Sequence, residues 1–567
     1  MQGKTMMRFA KCFALGLAAS IAAAPQAMAV EPGAPERLIT RVDAVGFEVQ
    51  QSLSDTVRDA SKSEKREHGA LVEYFADHKA PIWVDDTGLK SRAIKAIKIL
   101  KESDDYGLNP ADYDVPTAAV SAVRSMPSAQ WLADAELKLN KAILKYARDA
   151  RMGRPKIHGI SKNYDPTDDV PEVDEIMSNL AKLDDPSEYL LSFHPKHPQF
   201  EALRKKLAEA RGKSIEKVEE KRVVMPSGSI LKPGKRHASV AILRQRLELS
   251  VPMRDGQPVY NAEIYDSSLE VAVKTFQKKK GLRADGVVGP STVRALNGKA
   301  KTATPRNRVN MILANMERWR WLPQDLGNLH VRVNVPEYKV RVSHNGKNVL
   351  TERAVVGKLR YQTPIFSAPM DHIVFNPYWN VPNSIKREEL LPSLRSGGGG
   401  GLFNFSGRPR ILKMYGLYVK YKGREISASS VNWNRVDITR YHFYQPPGGL
   451  NVLGNVKFMF PNKHDVYLHD TQEKFYFARD QRTYSHGCVR VQNPRRLAEA
   501  LLMRDRGWSA ASVGRAFASG NNNHVGLKNK IPVHITYFTA WVDDNGKMRV
   551  YSDPYGHDSR MASSLKL

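Results

Sequence analysis

Apolar positions along the chain change period twice, and the changes divide it. From Pro35 to about Leu203 the spacing predicts helices. Ala93, Ile94, Ile97, Ile99 and Leu100 crowd one stretch, and Leu137, Leu139, Ile143, Leu144 and Tyr146 another. Turn residues, Tyr106-Gly107-Leu108-Asn109-Pro110, separate the two. The lysine- and arginine-rich run over 201–236 reads as a charged helix followed by a linker, with Pro226-Ser227-Gly228 and Lys232-Pro233-Gly234 near its end. Ala238 to Asn297 has the content of a small three-helix module. Leu243 and Leu247 share one face, Leu269, Val273 and Phe276 another; Gly281 stops a helix and Pro290 opens the next. Val309, Ile312, Leu313 and Met316 then mark an amphipathic helix leading into Trp319 and Trp321, which would cap a core.

From Leu329 the period becomes that of strands. His330–Val335 and Tyr338–Val342 alternate, and Asn345-Gly346 predicts a hairpin. A further strand is expected within Pro532–Trp541, with Asn545-Gly546 turning before Met548-Arg549-Val550. Asn376–Pro447 interrupts this pattern with aromatic and basic residues and a glycine run, Gly397–Gly401. No Gly-Lys-Ser/Thr follows the run, so it is not a phosphate loop; the insertion reads as a lid with a flexible tip. The aromatic surfaces Tyr378, Trp379, Trp433, Tyr441 and Phe443 are expected to face a substrate.

The fold class is therefore multidomain α+β. A helical N-terminal scaffold with a basic linker (30–236) precedes the three-helix module (237–298) and a connecting helix packing on the scaffold (299–328). A mainly β domain (329–555) with a capping insertion (376–447) follows, then a tail (556–567). A mean hydropathy of −0.47 excludes a polytopic membrane protein. The first residues form a secretory signal peptide: Lys4, Arg8 and Lys11, then the apolar Phe13–Ala24, then Ala27-Met28-Ala29. Cleavage after Ala29 (signal 1–29) removes Cys12 and leaves an exported chain with no membrane span and one cysteine, Cys488. The net charge of +28 then suits an anionic wall better than nucleic acid.

The chemistry concentrates in His464-Asp465-Val466-Tyr467-Leu468-His469-Asp470 and Tyr484-Ser485-His486-Gly487-Cys488-Val489-Arg490. In the first piece Val466 and Leu468 are expected to face a core, Tyr467 and His469 the other side. In the second, Gly487 permits a sharp turn at the cysteine. A thiol needs a base to become nucleophilic near neutral pH, and an imidazole is the usual one. His464, His469, His486 and Cys488 are all zinc-ligand types, but their spacings match no common zinc pattern. A merely buried Cys488 is the other alternative. Asp470, Ser485 and His486 are as compatible with bracing the turn as with catalysis.

These residues resemble the L,D-transpeptidase (YkuD-like) family, whose signature is a histidine followed after about twenty residues by Ser/Thr-His-Gly-Cys and Arg or Asn. Here His469 precedes Cys488 by nineteen positions and Ser485-His486-Gly487-Cys488-Val489-Arg490 fits without a gap. The order of parts is similar to the large periplasmic YcbB-like branch, with Gln362-Thr363-Pro364, Asn376-Pro377, Asn380-Val381-Pro382 and Pro447-Gly448 adding to the likeness. Residues 238–297 resemble the peptidoglycan-binding module of wall enzymes. The resemblance implies a periplasmic enzyme forming 3→3 crosslinks through a Cys488 acyl-enzyme, with no metal or organic cofactor. It implies His469 as base, Gly487 and Cys488 amides at the oxyanion, with Ser485 and His486 in that turn, and Arg490 and Tyr467 at the substrate. The implied partners are peptidoglycan stem peptides and glycan, with wall-synthesis proteins as further partners. A carboxypeptidase, a lipoprotein-anchoring enzyme of the same family and a non-catalytic wall-binding protein are the alternatives.

Overall fold

The computed structural model describes residues 45–46, 48–49, 51, 62–78, 80–117, 127–154, 157–166, 170–212, 225, 230–247, 249, 253–254, 257–258, 262–297, 305–396 and 409–567. The expected signal peptide, the middle of the basic run and the Gly397–Gly401 tip lie outside the described residues.

The scaffold is helical, as its pattern predicts. Its longest helix, Ala129–Met152, starts where the Ser128 hydroxyl accepts the Trp131 amide at 3.1 Å and buries the apolar stripe through Leu139, Ile143 and Tyr146. Ile94, by contrast, points outward and is 60% exposed. Val84–Asp85 and Gly88–Leu89 form a short hairpin within the scaffold, and Tyr164–Asp165 adds a parallel strand to the sheet of the C-terminal domain, beside Ile365 and Phe366.

The small module contains the helices Ala238–Arg246, Ser267–Lys279 and Pro290–Leu296 around Leu243, Tyr265, Leu269, Val273 and Val288. It begins earlier than the sequence suggests. Met225 and Leu231 are buried in its core, Leu231 bridges to Val288, and Asn297 bonds both backbone groups of Met225. Part of the expected linker thus belongs to the module, because an isolated methionine and leucine carry no periodicity to reveal it.

The connecting helix Pro305–Arg320 packs on scaffold helix Pro198–Gly212, burying Ile312, Leu313, Met316 and Trp319 with Phe200, Leu203, Phe538 and Val542. Arg318 reaches Asp558 at 2.7 Å, and the Asn315 amide carbonyl accepts the Thr539 amide at 2.9 Å. Scaffold and C-terminal domain share one apolar seam through this helix.

In the C-terminal domain the strands run in the order Val456–Met459, Leu468–His469, Val489–Val491, Lys347–Gly357, Lys339–His344, Leu329–Asn334, Asn523–Thr536 and Ile365–Phe375. The last pairs back with the first, so the sheet closes on itself. Its interior holds the alternating residues Val331, Val333, Val340, Val342, Ile373, Phe375, Phe458 and Leu468. The Asn345-Gly346 hairpin forms as predicted, both residues at positive φ. The strand expected at Pro532 begins at Asn523, with an irregularity between Gly526 and Ile531 that hides its alternation.

Two expectations are corrected here. Residues 556–567 are not a tail: helix His557–Ser564 buries His557 and Met561 against the domain core. The insertion is not loop-like either. It has its own core of Val381, Leu390, Leu394, Leu412, Trp433 and Phe443, and a four-stranded sheet of Trp379–Asn380, His442–Gln445, Tyr418–Tyr421 and Arg424–Glu425. Trp433, Tyr441 and Phe443 are therefore buried inside it, and of the five aromatics expected at a surface Tyr378 is the exposed one.

Candidate active site

Strand register brings the sequence candidates together. Leu468 pairs in parallel with Val489, and His469 with Arg490. Val466 and Leu468 point into the core, as expected, so Tyr467, His469, Cys488 and Arg490 share the opposite face. The rings of Tyr467 and His469 lie 5.6 Å apart.

The sulfur of Cys488 sits among specific donors and acceptors. Its thiol donates to the Asp465 carbonyl at 3.8 Å, a carbonyl fixed because Asp465 adopts φ +53° and Asn462 bonds the surrounding loop. The nearby backbone and hydroxyl of Tyr467 and the charge of Arg490 favour the Cys488 thiolate. Burial outweighs them and pushes the thiol up to about 11. Trp379 of the insertion lies close enough to the Tyr467 hydroxyl to favour its ionised form, although burial keeps that hydroxyl protonated.

His469 is buried, and its Nδ1 faces the Asp470 carbonyl. A carbonyl only accepts, so Nδ1 carries the proton and Nε2 keeps its lone pair. Burial, helped by the charges of Arg490, Lys474 and Lys457, lowers the imidazole to about 3, so the ring is neutral at physiological pH. The resting pair is a thiol and a neutral imidazole.

The turn before the cysteine is heavily braced. Gly487 lies at φ +115°, where a side chain is strained although a Cβ would meet only Gln362 O at 3.7 Å. Ser485 Oγ donates to the Cys488 carbonyl at 2.5 Å and accepts the Gly487 amide at 3.1 Å. Thr363 Oγ1 donates to the Gly487 carbonyl and accepts the Gly357 amide, both at 2.8 Å. The expectation of two oxyanion donors is thereby corrected: the Gly487 amide is already engaged by Ser485. Among the described residues the Cys488 amide has no protein partner, which leaves it as the donor available to a bound oxyanion.

The remaining candidates have separate duties. Asp470 accepts the amides of Asn455 and Thr471 and pairs with Lys474, holding the loop whose carbonyl orients His469. His486 stacks near Tyr361 and bonds Glu389 of the insertion at 2.6 Å. His464 faces Asp165 at 3.5 Å, so the four side chains weighed as a zinc set turn to four different partners. Arg490 is held by Glu473 at 2.5 Å through one guanidinium nitrogen. Sequence reasoning missed Thr363 as a brace, although its place in Gln362-Thr363-Pro364 was a usable signal, and it missed Lys457, which pairs with His469 on the neighbouring strand.

The "Scaffold domain" family matches residues 70–207, "Putative peptidoglycan binding domain" matches 236–296, and "L,D-transpeptidase catalytic domain" matches 328–514. The chain is 28% identical over 271 residues to a "Putative L,D-transpeptidase" of Haemophilus influenzae, covering 48% of this chain and 52% of that protein. It is 35% identical over 117 residues to a "Probable N-acetylmuramoyl-L-alanine amidase" of Bacillus licheniformis, covering 19% of this chain and 32% of that one. The chain thus spans about half the length of the first relative and about a third of the second. A solved L,D-transpeptidase from Stackebrandtia nassauensis is 12% identical over 55% of this chain and 96% of that one, with a TM-score of 0.18, too low to carry an argument. Cys488 and His469 thus lie in a segment that matches the L,D-transpeptidase catalytic domain family, in a chain that also matches a scaffold domain and a peptidoglycan-binding domain.

Proposed function

We propose that the chain is an exported, periplasmic peptidoglycan L,D-transpeptidase that forms 3→3 crosslinks through an acyl-enzyme on Cys488. The observation that carries this reading is the shared face of Cys488, His469 and Tyr467 at a braced turn within the matched catalytic domain.

The Cys488 thiol gives its proton to Nε2 of His469 as sulfur attacks the carbonyl after the diamino-acid residue of a tetrapeptide donor. The Cys488 amide and the Tyr467 hydroxyl receive the charge that develops, the amide contributing about 3 kcal/mol by comparison with other acyl-transfer sites. The C–N bond then breaks, the imidazolium returns the proton to the leaving nitrogen, and D-Ala departs, leaving a thioester. The side-chain amine of an acceptor stem attacks that thioester, forms the amide crosslink and restores the thiol.

Because burial holds the thiol near 11 and the imidazole near 3, proton transfer is coupled to attack and no thiolate–imidazolium pair is stored beforehand. The insertion, which bonds His486 through Glu389 and places Trp379 beside Tyr467, excludes water from the thioester and so favours the amine. The module at 237–298 holds the enzyme on the wall. Incubating the purified protein with tetrapeptide muropeptides and analysing released D-Ala and products by mass spectrometry tests this reading against hydrolysis and lipoprotein anchoring.

A further inference from the structure

One strand away from His469, on the same face, stands a cation with nothing to neutralise it. Lys457 lies between Val456 and Phe458, both fully buried in the core, and faces His469 across the antiparallel pair. Its ammonium is 5.9 Å from the centre of the Tyr467 ring, which stands two strand positions from His469 on the face that also carries Cys488. Among the described residues it makes no hydrogen bond or ion pair, and burial alone lowers its pKa. The other charges around it are already committed. Arg490 is bound by Glu473, Lys474 by Asp470, and Asp371, which neighbours this face, by His372 at 2.5 Å. His372 and His524 stack at 5.7 Å beside it, and the charge of Lys457 disfavours protonation of His524.

An ammonium removed from water without a counter-ion is unfavourable, and it becomes favourable when an anion arrives in the same dry setting. We propose that Lys457 holds the terminal carboxylate of the donor stem's leaving residue, and that Lys457, not Arg490, makes the enzyme select stems ending in a free acid. This rests on the transpeptidase reading above. The leaving residue's carboxylate is the anion nearest the attacked carbonyl, and Lys457 stands 5.9 Å from the Tyr467 ring, on the face that carries Cys488 and His469. The alternative is a lysine whose stem merely covers the Tyr467 ring.

The two differ in what they predict for a donor whose terminal carboxylate is converted to the uncharged amide of the same shape. Steady-state release of the leaving residue is measured for the acid and the amide donor with wild type, Lys457→Met and Lys457→Arg. A charge-assisted contact predicts that wild type prefers the acid roughly tenfold to a hundredfold, mainly through KM. Lys457→Met should bring the acid-to-amide ratio down to about one, and Lys457→Arg should recover part of the preference. Equal use of acid and amide by wild type overturns the proposal, as does an equal loss on both donors in a Lys457→Met protein with wild-type melting behaviour. If Lys457→Met does not fold, the Lys457→Arg protein and the wild-type acid-to-amide ratio decide. Failure of wild type to process either donor, with Cys488 alkylatable, instead overturns the transpeptidase reading on which the proposal stands.

Discussion

Nε2 of His486 and Oε1 of Glu389 lie 2.6 Å apart, tying the turn that carries Cys488 to the insertion above it. Both side chains are partly exposed, so the pair contributes at most about 1 kcal/mol. It biases the insertion toward the turn but does not lock it there. Glu389→Ala should therefore leave acylation of Cys488 within about threefold of wild type while raising the ratio of hydrolysed tripeptide to crosslinked dimer. Quantifying both products by chromatography checks this; an unchanged ratio removes the pair from any role in excluding water.

Thr363 should matter more than its distance in sequence from Cys488 suggests. Its hydroxyl joins the Gly357 amide to the Gly487 carbonyl, and its loss leaves two buried backbone groups unpaired, at a cost of roughly 1–3 kcal/mol each. Thr363→Val is expected to lower the melting temperature by several degrees and slow thioester formation about tenfold or more, with Thr363→Ser close to wild type. Calorimetry together with rapid-quench mass spectrometry reads both effects; a valine variant acylating at the wild-type rate would show that the brace is dispensable.

The pH dependence of alkylation tests the resting protonation state. With the thiol pushed up to about 11, the rate of Cys488 modification by iodoacetamide should rise about tenfold per pH unit from 7 to 10, without a plateau near neutrality. His469→Ala should leave that pH slope in place while lowering turnover by roughly a hundredfold or more. A plateau below pH 7 in wild type would mean that a thiolate–imidazolium pair exists before substrate binds.

Much of this site was legible in the chain because its chemistry is local. His469 and Cys488 lie on short strands whose alternation places them on one face, and Ser485-His486-Gly487-Cys488 is contiguous. The errors came where tertiary contacts overrule local pattern. Arg490 looks like a free cation in sequence, and Glu473, whose pairing no spacing rule predicts, takes it. Trp433 and Phe443 read as surface aromatics because the hydrophobic residues that bury them, such as Leu394 and Leu412, are scattered through an insertion without a regular period. The C-terminal helix hid for a similar reason. It is short and polar, and Met561 within it and Leu565 at its end anchor it in the core alongside His557, whose ring bonds Tyr164 at 3.0 Å.

Buried histidines make the fold sensitive to acid. His469 is lowered to about 3, and His534 and His557 to about 4, in each case chiefly by burial. Their folded values lie below the unfolded value of about 6.5, so the unfolded chain binds protons first as pH falls. The stability these neutral rings carry is complete above pH 6.5 and is lost as pH drops toward 4, on the order of 1.4 kcal/mol per pH unit for each ring. The urea midpoint should therefore fall steadily from pH 7 to pH 5; a constant midpoint over that range would mean these rings accept protons in the folded protein.

The most direct test of the account is intact-protein and product mass spectrometry on tetrapeptide muropeptides, with wild type and Cys488→Ala compared side by side. Wild type should show a thioester adduct on Cys488, stoichiometric D-Ala and a 3→3 dimer, whereas folded Cys488→Ala should show none of the three. Retained dimer formation by the folded alanine variant, or wild type yielding tripeptide without dimer, would contradict it.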